Sequence, residues 1–186
     1  MIDLQKFSAK ICYTSSGMLI QDGKVLLVKH KKLGFWLNPG GHIDEDELPH
    51  KAAEREFWEE TGIKVKTINI VKLIKSDISE YSPTPILANL HWINKDIYNE
   101  RVASVNPDKR VVTKMWPRGC EQHLNYIFLV EPVNSVEFKQ NVEETDGIAW
   151  FSLEDLSDLE TVDDIKNEIK YGFKLITNSF SEINNV

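Results

Sequence analysis

Hydrophobic and polar positions alternate early in the chain, which predicts strands before any helix. ICYTSSGMLI and KVLLVKH read as two strands joined at QDGK, where Asp22-Gly23 is a strong hairpin turn signal. In GFWLNPGGHID the run Pro39-Gly40-Gly41 forces a loop. PHKAAEREFWEETG then reads as a helix, with Pro49 suited to its first turn and Gly62 to the left-handed position past its end. Leu48 stands where Ser or Thr would make a better cap. IKVKTINIVKLIK alternates and is β-branched, which predicts one strand or two. PTPILANLHWI becomes a strand after Pro83 and Pro85, and HLNYIFLVEP and GIAWFSL are two more. Near the end, Ile165, Ile169, Phe173 and Ile176 recur at spacings of three and four, so a helix docks an apolar face there.

Residues 95–121 break this regularity. The stretch is polar, holds Pro107, Pro117 and Gly119, and has one apolar island, RVVTKMW. It is expected to be mostly an insertion loop, carrying at most a short hairpin, within a single domain over residues 1–186. No internal repeat or low-complexity segment interrupts the order of strands, helix, strands, helix, which predicts an α/β fold with helices packed on a mixed sheet.

Composition narrows the function. Hydrophobic residues make up 41% of the 186 and charged residues 27%, enough for a real core. A net charge of −7 argues against bulk binding to nucleic-acid phosphates, although a small anionic substrate could be received through a metal ion or a local basic patch. Within 95–121 basic residues outnumber acidic ones, and Arg101, Lys109, Arg110, Lys114 and Arg118 are candidates to meet phosphates, set against a plain solvated loop. The N-terminus MIDLQKFSAK lacks a secretory pattern, and no apolar run reaches the roughly 18 residues of a membrane helix. Cys12 and Cys120 are too few for a disulfide framework and are read as ordinary thiols. A cytoplasmic protein is the expectation.

The chemistry concentrates in EREFWEETG, which places four glutamates in nine residues. On a helix advancing about 100° per residue, Glu56, Glu59 and Glu60 project within one arc, beside Arg55. Their mutual repulsion costs tenths of a kcal/mol per pair in water, and a divalent cation would reverse its sign. Hard oxygen ligands select magnesium, or manganese, over zinc, and no Cys/His cluster is expected that would argue otherwise. The double glycine before the helix lets a substrate approach Gly41 without side-chain clash.

The spacing carries a resemblance. From Gly41, five residues lead to Glu47 and seven more to Arg55-Glu56. Then come Phe57, one free position, Glu59-Glu60, another free position, Gly62 and Ile63. Seven fixed positions coincide by chance about once in 10⁸ placements. The chain resembles the Nudix hydrolase family over this box, and its strand pattern is compatible with the Nudix α/β/α sandwich. WLNPGGHID and WFSLEDL also look like stretches common in that family. Three departures stand out: Phe57 is bulkier than the usual aliphatic residue, Leu48 replaces a small cap, and Asn38 separates the apolar pair from the proline.

The resemblance implies roles. Glu56, Glu59 and Glu60, with the carbonyl of Gly40, would bind Mg2+ (Mn2+ as a substitute), and one of the glutamates would serve as base. Arg55 would orient them through ion pairs with Glu47 or Glu59, leaving Glu47 a supporting part. A further acidic residue is expected before the last core strand, and Glu144 is preferred over Glu143 and Asp146. His42 and His123 are candidates to touch substrate. Trp36, Trp92, Trp116 and Tyr126 are candidates to stack on a base, with Trp116 preferred because its polar setting offers less core to fill. The implied reaction is hydrolysis of a nucleoside diphosphate linked to another moiety. A nucleoside triphosphate giving monophosphate plus pyrophosphate is placed ahead of ADP-ribose or a nucleotide sugar. A non-catalytic nucleotide-binding module is the rival, and homodimers are common in the family.

Overall fold

The structure is a computed structural model that describes residues 9–69, 74–103 and 118–183. The strands among these residues, in chain order, are β1 (Ile11–Gln21), β2 (Lys24–His30), β3 (Trp36–Leu37), β4 (Gly40–His42), β5 (Val65–Thr67), β6 (Leu87–Trp92), β7 (Gln122–Pro132) and β8 (Thr145–Ser152). The helices are α1 (Pro49–Thr61), α2 (Lys95–Ala103) and α3 (Asp163–Ile183).

β1 and β7 form the spine. They run parallel, in register from Ile11 opposite Gln122 to Leu19 opposite Val130. The other edge of β1 is shared, β4 pairing with Thr14–Ser16 and β2 with Ile20 and Gln21. The far edge of β7 is likewise divided between β6 and β5, while β3 and β8 pair with β2. All of these pairings except β1–β7 are antiparallel, so the sheet is mixed.

Alternation along β1 separates two apolar layers. Leu19 packs with Ala53, Phe57, Phe128 and Val130 beneath α1. Met18 faces the opposite way, into a cluster with Leu27, Ile127, Leu129 and Ile169, against which Ile165, Phe173 and Ile176 of α3 are packed. The expected α/β/α sandwich follows from these two layers.

The limits of α1 match the sequence reading. Leu48 is extended and gives no side-chain cap, Pro49 opens the helix, and Gly62 at φ 73° turns its N–H to Trp58 O at 2.7 Å. Phe57 fits because its neighbour on β1 has no side chain: a Cβ on Gly17 would lie 2.9 Å from the Phe57 ring and 3.2 Å from Val130.

Three readings need correction. The stretch expected to be mostly loop opens with a helix, α2, which has no apolar stripe to announce it. Its start is marked instead by Asn94, whose Oδ1 accepts the N–H of Ile97 at 2.8 Å. Arg101 does not face phosphates: it is 1% exposed and ion-paired at 2.7 Å with Glu121, itself 0% exposed. A buried charge needs such a partner, because desolvating it alone costs several kcal/mol. Finally, Cys12 and Cys120 are joined in a disulfide, with Cα atoms 5.7 Å apart. Lys109, Arg110, Lys114 and Trp116 lie outside the described residues.

Gly17→Ala is expected to destabilise the protein by about 1–3 kcal/mol in urea unfolding. Pairing it with Phe57→Leu should recover part of that loss, and strictly additive effects would deny the contact.

Candidate functional site

The glutamates of α1 take separate tasks. Glu54 is structural: its carboxylate accepts from the N–H and Oγ1 of Thr67, both at 2.9 Å, and pairs with Lys51 at 2.8 Å, fixing the end of β5 to the helix. Glu56 and Glu60 face the Pro-Gly-Gly turn instead, and Glu59 pairs with Arg55.

Arg55 organises this face. Its Nε and Nη2 donate to the two oxygens of Glu47, each at 2.8 Å, a bidentate pairing. Nη1 donates to Glu56 at 2.8 Å and to Glu59 at 3.0 Å. Nη2 also reaches the carbonyl of His42 at 3.0 Å, tying the helix to β4. Both partners expected for Arg55 are therefore present. The guanidinium holds the Glu47 carboxyl below its usual range, with help from the Asp44 N–H.

Glu60 is 4% exposed and turns away from Arg55. Its Oε2 accepts the N–H of Gly40 at 3.0 Å. Burial pushes its pKa up to about 8, opposed by the Gly40 hydrogen bond and reinforced by Glu56, Glu144 and Glu59. Burial also raises Glu56, against the pull of Arg55 and with a push from Glu59 and Glu144. The charge of Glu144 thus reaches both buried carboxyls. Its backbone is anchored by its carbonyl, which accepts from Lys31 N at 3.1 Å.

The glycines leave no spare room. A Cβ on Gly41 would lie 2.5 Å from the Glu56 carboxylate, and one on Gly40 would lie 2.5 Å from the Ser15 carbonyl. Glycine at 41 lets the turn lie close against the helix, and glycine at 40 lets it lie close against β1.

His42 and His123 point to the other side of β4. Their rings meet edge to face at 5.0 Å, and His91 continues the row 5.7 Å from His123. Burial, with the neighbouring His42, His91 and His30, pulls His123 down to about 3, so it is neutral at working pH. Sequence reading missed the rest of this face. Thr14 donates to Asn125 Oδ1 at 3.2 Å, Asn125 donates to Ser16 Oγ at 3.2 Å, and His91 Nδ1 lies 2.8 Å from Asn89 Oδ1. Asn89 in turn donates to Glu168 of α3, whose carboxyl is pushed up to about 7 by burial, opposed by that bond. The available signal was two polar residues spaced by two in HLN and NLH, within otherwise apolar strands.

The other stacking candidates serve packing. Trp36 meets Phe151 edge-on at 4.8 Å, Trp92 meets Tyr98 at 5.4 Å, and Tyr126 packs against the layer under α1.

The donor set on α1 suits a hard cation. Glu60 is a buried carboxylate beside a backbone N–H, and Glu56 is a second next to it, the arrangement that a magnesium or manganese ion would complete. The carboxylates do not form a closed cage, because Arg55 draws Glu56 and Glu59 towards itself. The one group of three such ligand side chains, among the described residues, whose donor atoms all lie within 4.8 Å is Cys12, His42 and Cys120.

A fold of this topology with this box defines a family. The family model of the NUDIX domain matches residues 14–171, and the chain belongs to that family. It is 38% identical over 56 residues to a MutT-like protein of Streptomyces ambofaciens, a match covering 30% of this chain and 36% of that one. To the phosphatase NudJ of Escherichia coli K12 it is 39% identical over 54 residues, 28% of this chain and 35% of the relative. The match thus spans about a third of the length of these relatives. A Nudix-family hydrolase of Clostridium perfringens superposes with TM-score 0.63 at 25% identity, over 88% of this chain and 97% of that one. No helix among the described residues is long and apolar enough to cross a membrane.

Because the folded pKa of Glu60 lies above its unfolded value, the proton favours the fold. Metal-free stability should therefore fall as pH rises from about 4.5 to about 8. Glu168 adds a smaller share up to about 7. Unfolding in EDTA across that range should show the decline, and Glu60→Gln should flatten it; an unchanged slope would refute the assignment. Gly41→Ala should leave the fold intact and weaken magnesium uptake measured by calorimetry by about tenfold or more, a loss of the order seen when partners that position metal ligands are removed.

Proposed function

We propose that the chain is a metal-dependent hydrolase that opens a pyrophosphate bond in a nucleoside diphosphate linked to another moiety. The preferred substrate is a nucleoside triphosphate, giving monophosphate and pyrophosphate. The observation that carries this reading is Glu60, buried and hydrogen-bonded to the Gly40 N–H at 3.0 Å, with Glu56 and Glu59 gathered beside it by Arg55. Family membership supports the same class of chemistry.

Magnesium held by Glu56, Glu59, Glu60 and the Gly40 carbonyl would neutralise the diphosphate and make a bound water acidic. Around it the chain's own groups have distinct duties. Arg55 holds the carboxylates at fixed angles while Glu47 holds Arg55. One glutamate of the cluster receives the proton of the attacking water. Glu144 adds negative charge that raises the basicity of Glu56 and Glu60. Gly41 leaves the approach open, and the face of His42, His123 and Asn125 presents neutral donors and acceptors to the nucleoside. Trp116 is kept as a stacking candidate.

The test is a panel of nucleoside triphosphates, dinucleoside polyphosphates, ADP-ribose and nucleotide sugars, with and without magnesium. At least one compound should turn over only with metal, and Glu59→Gln and Glu60→Gln should each lower kcat by about 10²–10⁴. Binding of the compounds without hydrolysis of any would replace this reading with that of a nucleotide-binding module.

A further inference from the structure

One cluster lies apart from the glutamates and shares only His42 with the face proposed for the nucleoside. Cys12 lies near the start of β1, Cys120 two residues before β7, and His42 at the end of β4. Strand register assembles them: Cys12 is opposite His123, and Thr14, two residues on and facing the same way, is opposite His42. Cys120 Sγ lies 3.5 Å from His42 Nε2. The ring of His123 stands edge-on to His42, and its Nε2 is buried with no hydrogen-bond partner among the described residues.

Two sulfurs and an imidazole are donors for a soft or borderline ion, not for magnesium. With Zn–S about 2.3 Å and Zn–N about 2.0–2.1 Å in a tetrahedral site, sulfur and nitrogen ligands stand about 3.5 Å apart. Cys120 and His42 already keep that separation. Both cysteines lie within reach of the same imidazole, since all three donor atoms fall within 4.8 Å. Cys12 and His42 are half-buried, which leaves an ion a route in and a fourth position for water.

We propose that the reduced chain binds one zinc ion through Cys12, Cys120 and His42, at a site separate from the glutamates, and that disulfide formation expels it. A cysteine ligates zinc as the thiolate and not as the disulfide, so the two states exclude each other. The exchange balances with a small-molecule disulfide as oxidant. The two protein thiolates give up two electrons and form one S–S bond. The oxidant's S–S bond breaks, its halves leave as thiols after taking up two protons, and Zn2+ departs. The ion would also sit beside the catalytic apparatus, because the carbonyl of its ligand His42 is the one Arg55 grips at 3.0 Å.

Cobalt(II) is the probe, since a thiolate-to-cobalt charge-transfer band cannot arise from carboxylates. Reduced protein in excess magnesium should take up one cobalt per chain with that band, and zinc should displace it. The same protein after oxidation by glutathione disulfide should show none. Cys12→Ser and His42→Ala should each weaken uptake by about a hundredfold, while Glu56→Gln, checked by circular dichroism alongside them, should keep the band. Reduced wild-type protein without the band would overturn the proposal, and so would full affinity in His42→Ala. Neither outcome depends on turnover, so failure here is distinct from failure of the hydrolase reading.

Discussion

Of three carboxylates within little more than one turn of α1, two are held by a single guanidinium. Arg55 touches Glu47, Glu56, Glu59 and the carbonyl of His42. Side-chain repulsion on a helix costs only tenths of a kcal/mol, so Arg55 readily offsets that part. Burial of Glu60 is the larger effect. A carboxyl raised from 4.5 to about 8 resists ionisation by an amount on the order of a few kcal/mol, a cost that the Gly40 hydrogen bond opposes and that a cation at the carboxylate would offset. Burial therefore leaves this carboxyl with unfavourable charge that its neighbours Glu56, Glu59 and Glu144 increase.

β4 transmits this arrangement to the rest of the molecule. It has three residues, and its two sides differ completely. The side of Gly41 meets Glu56 with no room for a methyl group, while the side of His42 meets Cys120 of the disulfide. β4 is held in place by pairing with Thr14–Ser16 on the central strand. Displacement of that strand pair would act on the glutamates and on the histidine row together.

Much of this was legible because it is local. The turn at Asp22-Gly23, the limits of α1 at Pro49 and Gly62, and the spacing of Glu56, Glu59 and Glu60 all depend on residues close in sequence. The apolar spacing of α3 belongs to the same kind. What escaped depends on distant pairing. The disulfide joins residues 108 apart in sequence, and the row His42, His123, His91 needs four strands, β4, β1, β7 and β6, aligned before it exists. Arg101 looked like a surface cation because its partner, Glu121, lies across the whole intervening stretch. α2 was illegible for another reason: a polar helix without an apolar stripe leaves only its cap, Asn94, as a sign.

The anchoring of Arg101 has one more consequence. Its buried pair with Glu121 clasps the two ends of the intervening stretch, and Glu121 also accepts the N–H of Lys10 at 2.8 Å. Chain closed off at its base in this way can lengthen or shorten at a cost that grows only with the logarithm of its length. A change of length between Arg101 and Glu121 therefore carries a small entropic cost that the buried pair at its ends does not have to absorb.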